Sequence, residues 1–176
     1  MKKFFLLAAA ALLTLAASAE VIPASDSRVT YVGRTQVIDS NVSFDWTATY
    51  FRIAFSGTSL TMRASDTKWD ATPEMAAKRH NYYNVWIDSP TSADPHRIIE
   101  VSGNDTVIEL VDSDYLKKSR RNVHEVIVQK RTEGEQGKTT VHEFATDAKG
   151  QFYQAEPLKA RQLEFIGDSY TCGYGI

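Results

Sequence analysis

The chain has 176 residues, 43% of them apolar and 24% charged, with a formal net charge of −2. That composition describes a globular protein and excludes a disordered tail or a fibre. The near-neutral balance excludes the clustered basic surface that nucleic acid requires, and one cysteine permits neither an internal disulfide nor a cysteine zinc site.

In chain order the first element is a signal peptide, residues 1–19. Met1-Lys2-Lys3 is a positive n-region, residues 4–16 an apolar h-region, and Ala17-Ser18-Ala19 a small-x-small cleavage site. The apolar run is shorter than the roughly 18 residues a membrane span needs. Cleavage after Ala19 leaves 157 residues and, with Lys2 and Lys3 gone, a net charge of −4. The expected product is exported, periplasmic or secreted, and free of the membrane once cleaved. A chain of this length buries about 68–70% of its extended surface, enough for one core but short for two full domains.

Residues 49–56 alternate cleanly: Phe51, Ile53 and Phe55 fall on one face, Tyr50, Arg52 and Ala54 on the other. Ser56-Gly57-Thr58 interrupts the run, and residues 59–64 then set Leu60 and Met62 on one face. Two such runs around a glycine turn predict a hairpin. The same period recurs at residues 81–88, 97–101, 106–111, 123–130 and 139–145, separated by turn residues at 102–105 and 133–137. Short strands at this spacing predict an all-β fold, an antiparallel β-sandwich of jelly-roll type, over residues 20–158. Phe51, Ile53, Phe55, Val85, Ile87, Val126 and Val128 are its expected core. Helix is confined to a short turn at residues 72–78, where Thr72 is an N-cap and Pro73 a first helical residue, and to a brief pattern at residues 114–119.

From Ala155 the character changes. Residues 161–166 read as a new strand that runs into Gly167-Asp168-Ser169. A strand followed by Gly-Asp-Ser and small polar residues predicts a strand-to-helix turn, so residues 159–176 read as the start of a second domain. A serine hydroxyl becomes a nucleophile when a base takes its proton and donors stabilise the oxyanion. A sharp turn after a strand exposes such a serine beside the N–H groups that open the next helix. Gly167 permits the tight turn. The plainer reading is that Asp168 and Ser169 are N-cap residues.

The string from Glu164 to Gly175, centred on Gly167-Asp168-Ser169, resembles the first sequence block of the SGNH (GDSL-type) hydrolases. More narrowly it resembles the two-domain acetyl esterases of carbohydrate esterase family 2. Val32-Gly33-Arg34-Thr35, Phe44-Asp45-Trp46, Phe55-Ser56-Gly57-Thr58, residues 81–88 and residues 124–133 are similar, in order and spacing, to that family's N-terminal jelly roll. The resemblance implies a carbohydrate O-deacetylase acting on acetylated plant polysaccharides or oligosaccharides such as xylan. It implies a jelly roll followed by an α/β domain, of which this chain carries the first strand and turn, and no cofactor or metal. Ser169 would attack the acetyl carbonyl, with its own N–H as one oxyanion donor. The remaining donors, a glycine N–H and an asparagine side chain, belong to later blocks, as does the histidine base.

His80, His96, His124 and His142 all precede Ser169. His124 and His142 lie in strand patterns, where a hydrogen-bonded structural role is expected, and His80 and His96 in loops. Their spacing does not match a zinc site. Cys172 lacks a nameable histidine partner, which argues against a thiol nucleophile. Tyr82, Trp86, Trp46 and Trp69 offer flat faces suited to pyranose rings, although strand aromatics usually pack inside. The expected function is therefore an exported carbohydrate O-acetyl esterase of which this chain is an N-terminal fragment, inactive alone. The alternatives are a non-catalytic jelly-roll module that binds carbohydrate or buttresses a partner domain, and a general lipid or aryl esterase. Oligomeric state is not legible.

Overall fold

The computed structural model describes residues 19–68, 72–89, 93–161, 163 and 166–172. Residues 1–18 of the expected signal peptide, and Trp69, lie outside them. Among the described residues no helix is long and apolar enough to cross a membrane.

Among the described residues twelve strands make up two antiparallel sheets: β1 (Val21–Pro23), β2 (Thr30–Val32), β3 (Gln36–Ile38), β4 (Asn41–Phe44), β5 (Tyr50–Phe55), β6 (Leu60–Thr67), β7 (Asn81–Ile87), β8 (Arg97–Val101), β9 (Thr106–Val111), β10 (His124–Lys130), β11 (Lys138–Thr146) and β12 (Phe152–Tyr153). The first sheet runs β3-β4-β11-β6-β9, with β1 also on β11; the second runs β12-β5-β10-β7-β8, with β2 also on β5. In each sheet one strand edge is shared end to end. Strand β4 takes Thr139 to Val141 of β11 and β1 takes Glu143 to Ala145. Between them the β6 register shifts, and the carbonyl of His142 accepts the N–H of Ala24 at 2.9 Å.

The alternation read in the sequence sets the two faces. Phe51, Ile53, Phe55, Val85, Ile87, Val126 and Val128 are all buried, as expected of inward positions on a pleated strand. An aromatic series joins the sheets. Phe51 on β5 meets Phe144 on β11 with centroids 5.1 Å apart, and Phe44 on β4 meets Tyr83 on β7 edge-on at 6.2 Å. Tyr31 lies 5.7 Å from Phe51. Each buried phenol has a partner, as burial demands: Tyr31 donates to the Ala24 carbonyl at 3.0 Å, and Tyr83 to Thr139 Oγ1 at 2.6 Å.

The expected hairpin at residues 49–64 is corrected by the topology. β5 pairs with β10, β12 and β2, whereas β6 pairs with β11 and β9. The turn at Gly57 carries the chain from one sheet to the other instead of folding it back. Both strands still point their apolar sides into one core, so the pattern is the same for an arch as for a hairpin. Gly57 has φ +116, and a Cβ there would meet Asp147 Oδ1 at 2.9 Å. Glycine is required on both counts.

The short helix expected at residues 72–78 forms, and a second single turn forms where residues 114–119 gave only a brief pattern. α1 (Pro73–Ala76) is capped by Thr72, whose side chain accepts the Met75 N–H, and α2 (Ser113–Leu116) by Asp112. Strands β1 to β4 and β12 were not legible in advance: β2 and β3 show no in–out alternation at all.

Two predictions follow from the packing. Phe51→Ala should lower unfolding stability by about 3–5 kcal/mol, while Val37→Ala, on a strand exposed throughout, should stay within about 0.5 kcal/mol; urea denaturation measures both. Burial raises the phenol pKa of Tyr31 and Tyr83 above the ordinary 10.0. Their contribution is complete below that value and declines as pH rises past it. The melting temperature should fall above about pH 10, less steeply in Tyr83→Phe.

Candidate active site

Ser169 opens a single helical turn, α3 (Ser169–Cys172). The side chains of Ser169 and Cys172 lie outside the described set. Asp168 shapes the turn: its Oδ1 accepts the Tyr170 N–H at 3.0 Å, and its carbonyl accepts the Thr171 N–H at 3.0 Å. The backbone of Gly167 lies so close to Thr171 that a Cβ would stand 2.0 Å from Thr171 Oγ1. No other residue fits that turn without displacing the threonine. The Gly-Asp-Ser order thus produces the tight entry into a helix that its chemistry calls for, with Asp168 as the capping residue.

This segment stands away from the sandwich. Leu163, Ile166 and Tyr170 are 78%, 87% and 93% exposed. Gln162, Glu164 and Phe165 of the strand expected at 161–166 lie outside the described residues, and Arg161, Leu163 and Ile166 belong to no strand. The last firmly packed residue before it is Ala155, at 2% exposure.

His124 and His142 lie in strands and are hydrogen-bonded, and His80 and His96 lie in loops. His124 is buried, with Nδ1 2.7 Å from Asp88 Oδ2 and its ring against Phe55. Asp88, in the left-handed region at φ 58, also accepts the Glu125 N–H at 3.0 Å. An aspartate–histidine pair is part of a hydrolytic triad, but this one caps the core. His142 bridges Asn41 Oδ1 and Ser65 Oγ at 2.9 and 2.8 Å. His80 meets Glu100 at 2.7 Å, and His96 packs edge-on against Tyr115 at 4.1 Å. Among the described residues no group of three or more metal-ligating side chains comes together.

A second polar centre was missed in the sequence. Lys130 is 1% exposed, and its Nζ donates to the carbonyls of Thr132 and Glu133 at 2.8 and 3.0 Å and to Thr132 Oγ1 at 3.1 Å. Thr132 Oγ1 donates to Asn81 Oδ1 at 3.0 Å, and Asn81 Nδ2 donates to Asp66 Oδ1 at 2.7 Å. Asp66 pairs in turn with Lys68. Burial lowers the Lys130 pKa to about 8. The available signal was its register: Val126, Val128 and Lys130 share the inward side of β10. Of the described aromatics considered for sugar contact, Trp46 is the most open at 57%, with the Arg34 guanidinium 4.8 Å from its ring centre. Tyr82 is 38% exposed and Trp86 half-buried.

Comparison with known proteins places this arrangement. The family profile described as Carbohydrate esterase 2 N-terminal matches residues 31–155, which run from β2 through β12. A curated relative, the acetylxylan esterase / glucomannan deacetylase of Cellvibrio japonicus (strain Ueda107), is 30% identical over 134 residues, covering 76% of this chain and 30% of the relative. Among solved structures, a family two carbohydrate esterase from Cellvibrio japonicus superposes with a TM-score of 0.70 at 23% identity, over 89% of this chain and 41% of that one. One from Clostridium thermocellum, in complex with cellohexaose, gives 0.66 at 23% identity over 84% and 39%. The chain therefore spans less than half the length of these relatives.

Because the described side chains around Ser169 make so little contact with the sandwich, deleting residues 160–176 should move the melting temperature by less than about 5 °C, or roughly 1 kcal/mol. A larger drop in a thermal scan would mean that the segment packs as part of the β-domain.

Proposed function

We propose a function from one established premise: the chain belongs to the Carbohydrate esterase 2 N-terminal family. The protein that carries it is an exported carbohydrate O-acetyl esterase, and this chain supplies its β-sandwich together with the nucleophile turn. The observation that carries the reading is an order of parts. A sandwich matching the family over residues 31–155 is followed within 14 residues by Gly167-Asp168-Ser169, folded as a tight turn into a helix. The basic and apolar leader at residues 1–19 supports export to the periplasm or beyond the cell.

The chemistry is acyl transfer. Ser169 Oγ attacks the acetyl carbonyl carbon as a base takes its proton, and the negative charge that develops on the carbonyl oxygen is met by N–H donors, that of Ser169 among them. Collapse breaks the bond to the sugar oxygen, which leaves with a proton. Water then releases acetate from the acetyl-serine and restores the hydroxyl. None of the sandwich histidines serves as the base in this scheme: His124 is sealed in the core, and His80, His96 and His142 are each committed to a neighbour on the sandwich. The base comes from outside residues 19–172. The curated relative named as an acetylxylan esterase and glucomannan deacetylase supports acetylated plant polysaccharide as the substrate class.

Acetate release from acetylated xylan and acetylated glucomannan by the complete esterase tests this reading. Ser169→Ala should reduce kcat/KM by at least about 10³-fold with an unchanged melting temperature; a variant as active as the parent would overturn it. The 176-residue chain alone should not turn over 4-nitrophenyl acetate above background. General-base assistance contributes about 10² to 10⁴-fold, and an oxyanion donor about 10² to 10³-fold.

A further inference from the structure

One surface of the sandwich combines an open aromatic ring with a row of hydrogen-bonding side chains, and the proposed esterase chemistry uses neither. In the first sheet Gln36 on β3 faces Ser43 on β4, and Thr140 on β11 faces both Ser43 and, across its other edge, Ser65 on β6. Phe44, Thr139 and Val141, their neighbours along the strands, point into the core. The row therefore lies on the outer face, crossing four strands over roughly 14 Å at the usual spacing. Ser43 Oγ and Thr140 Oγ1 are 2.8 Å apart, and Ser65 Oγ is held by His142. A groove of about 210 Å³ opens at the β3–β4 end of this row, lined by Arg34, Gln36, Ser43, Asp45, Trp46 and Lys138 among others.

Trp46 forms the end wall. The Arg34 guanidinium lies 4.8 Å from its ring centre, and the residue stays 57% exposed. The backbone that carries the ring is tied down. The Trp46 carbonyl accepts the Thr49 N–H at 3.3 Å, and the Ala48 N–H donates to the carbonyl of buried Lys130 at 2.9 Å. A platform ordered beforehand loses little freedom when something binds.

We infer that this groove is a saccharide-binding subsite on the β-sandwich, separate from Ser169, which stacks a pyranose ring on Trp46 and hydrogen-bonds its hydroxyls through Gln36, Ser43, Asp45 and Lys138. The chemistry of the lining selects that ligand class. An apolar peptide would bury the polar row without satisfying it. A polyanion would meet Asp45 beside Arg34 and Lys138, on a chain whose net charge is −2. A sugar ring has an apolar C–H face for the indole and hydroxyls that both donate and accept for the row. The subsite would keep the esterase on its polymer while Ser169 acts on the acetyl groups. The inference draws on the proposed function only for its choice of probes.

The test follows the three tryptophan indole N–H signals of the full chain by NMR during titration with xylohexaose, cellohexaose and mannohexaose, none of them acetylated. Trp46→Tyr identifies the Trp46 signal by its disappearance. At least one hexaose should shift that signal saturably. Trp46→Ala should weaken binding about tenfold or more, Gln36→Ala by a smaller factor, and Trp46→Tyr should retain most of it. Both positions are exposed, so melting temperatures should hold and certify folding. A Trp46 signal unmoved by every hexaose at roughly 10 mM, ten times a Kd of about 1 mM, overturns the inference, as does undiminished binding by Trp46→Ala. Ser169→Ala should bind as the parent does. Failure of the esterase reading would therefore leave this result intact, and failure here would leave acetate release intact.

Discussion

Lys130 sits wholly inside the sandwich, and a buried ammonium has to be answered by oxygen atoms or its desolvation is uncompensated. The answer comes from the segment that follows it. Thr132 and Glu133 turn their carbonyls back onto Nζ, which winds the start of the β10–β11 connection around the charge. Thr132 also reaches Asn81 on β7 and through it Asp66 on β6, so a single cation ties the two sheets at this end. Burial lowers the Lys130 pKa to about 8, which leaves it largely protonated at neutral pH. Its main chain is tied to the Trp46 turn, with Lys130 N–H to the Thr49 carbonyl and Ala48 N–H to the Lys130 carbonyl, both at 2.9 Å. Thr47 Oγ1 adds a bond to the Thr132 carbonyl. The geometry of the outer groove thus depends on a charge in the interior.

The opposite end of the same strand is closed by a second basic side chain. His124, Val126, Val128 and Lys130 all face inward on β10, polar at both limits and apolar between. A sandwich needs an apolar layer between its sheets but has two open ends where water would enter, and a polar group with fixed partners can close each of them. His124 with Asp88 does so at one end, and Lys130 with Thr132 and Glu133 at the other. The aspartate–histidine pair thus has a structural place at the end of the sandwich.

The molecule divides between a sandwich whose buried His124 and Lys130 are held by fixed partners and a short exposed segment leading to Ser169. Membership of the Carbohydrate esterase 2 N-terminal family concerns the first part. The second depends on twelve residues, 164–175, whose resemblance to an SGNH block is local. The sandwich alone holds the rigid framework, and the proposed reaction needs groups that this framework does not supply.

Much of this was legible in the residues themselves. Alternation at 50–55, 81–87 and 124–130 marked which side chains face the core, because successive side chains on a pleated strand point to opposite faces. Thr72-Pro73 marked the first helix start, since cap chemistry is local. Gly167-Asp168-Ser169 marked a tight turn for the same reason. Pairing was another matter. The runs around Gly57 predict the same buried faces whether the strands fold back on each other or cross between sheets, and only contact with β10 and β11, some 70 to 80 residues away, selected the crossing. Strands β2 and β3 carried no periodic signal because they are edge elements without a fully buried side. The partners of His124 and Lys130, and the placing of Trp46 beside Arg34 at the end of a polar row, were likewise decided by tertiary structure. Each joins residues remote along the chain, and one-dimensional patterning records which way a side chain points but not what it meets there.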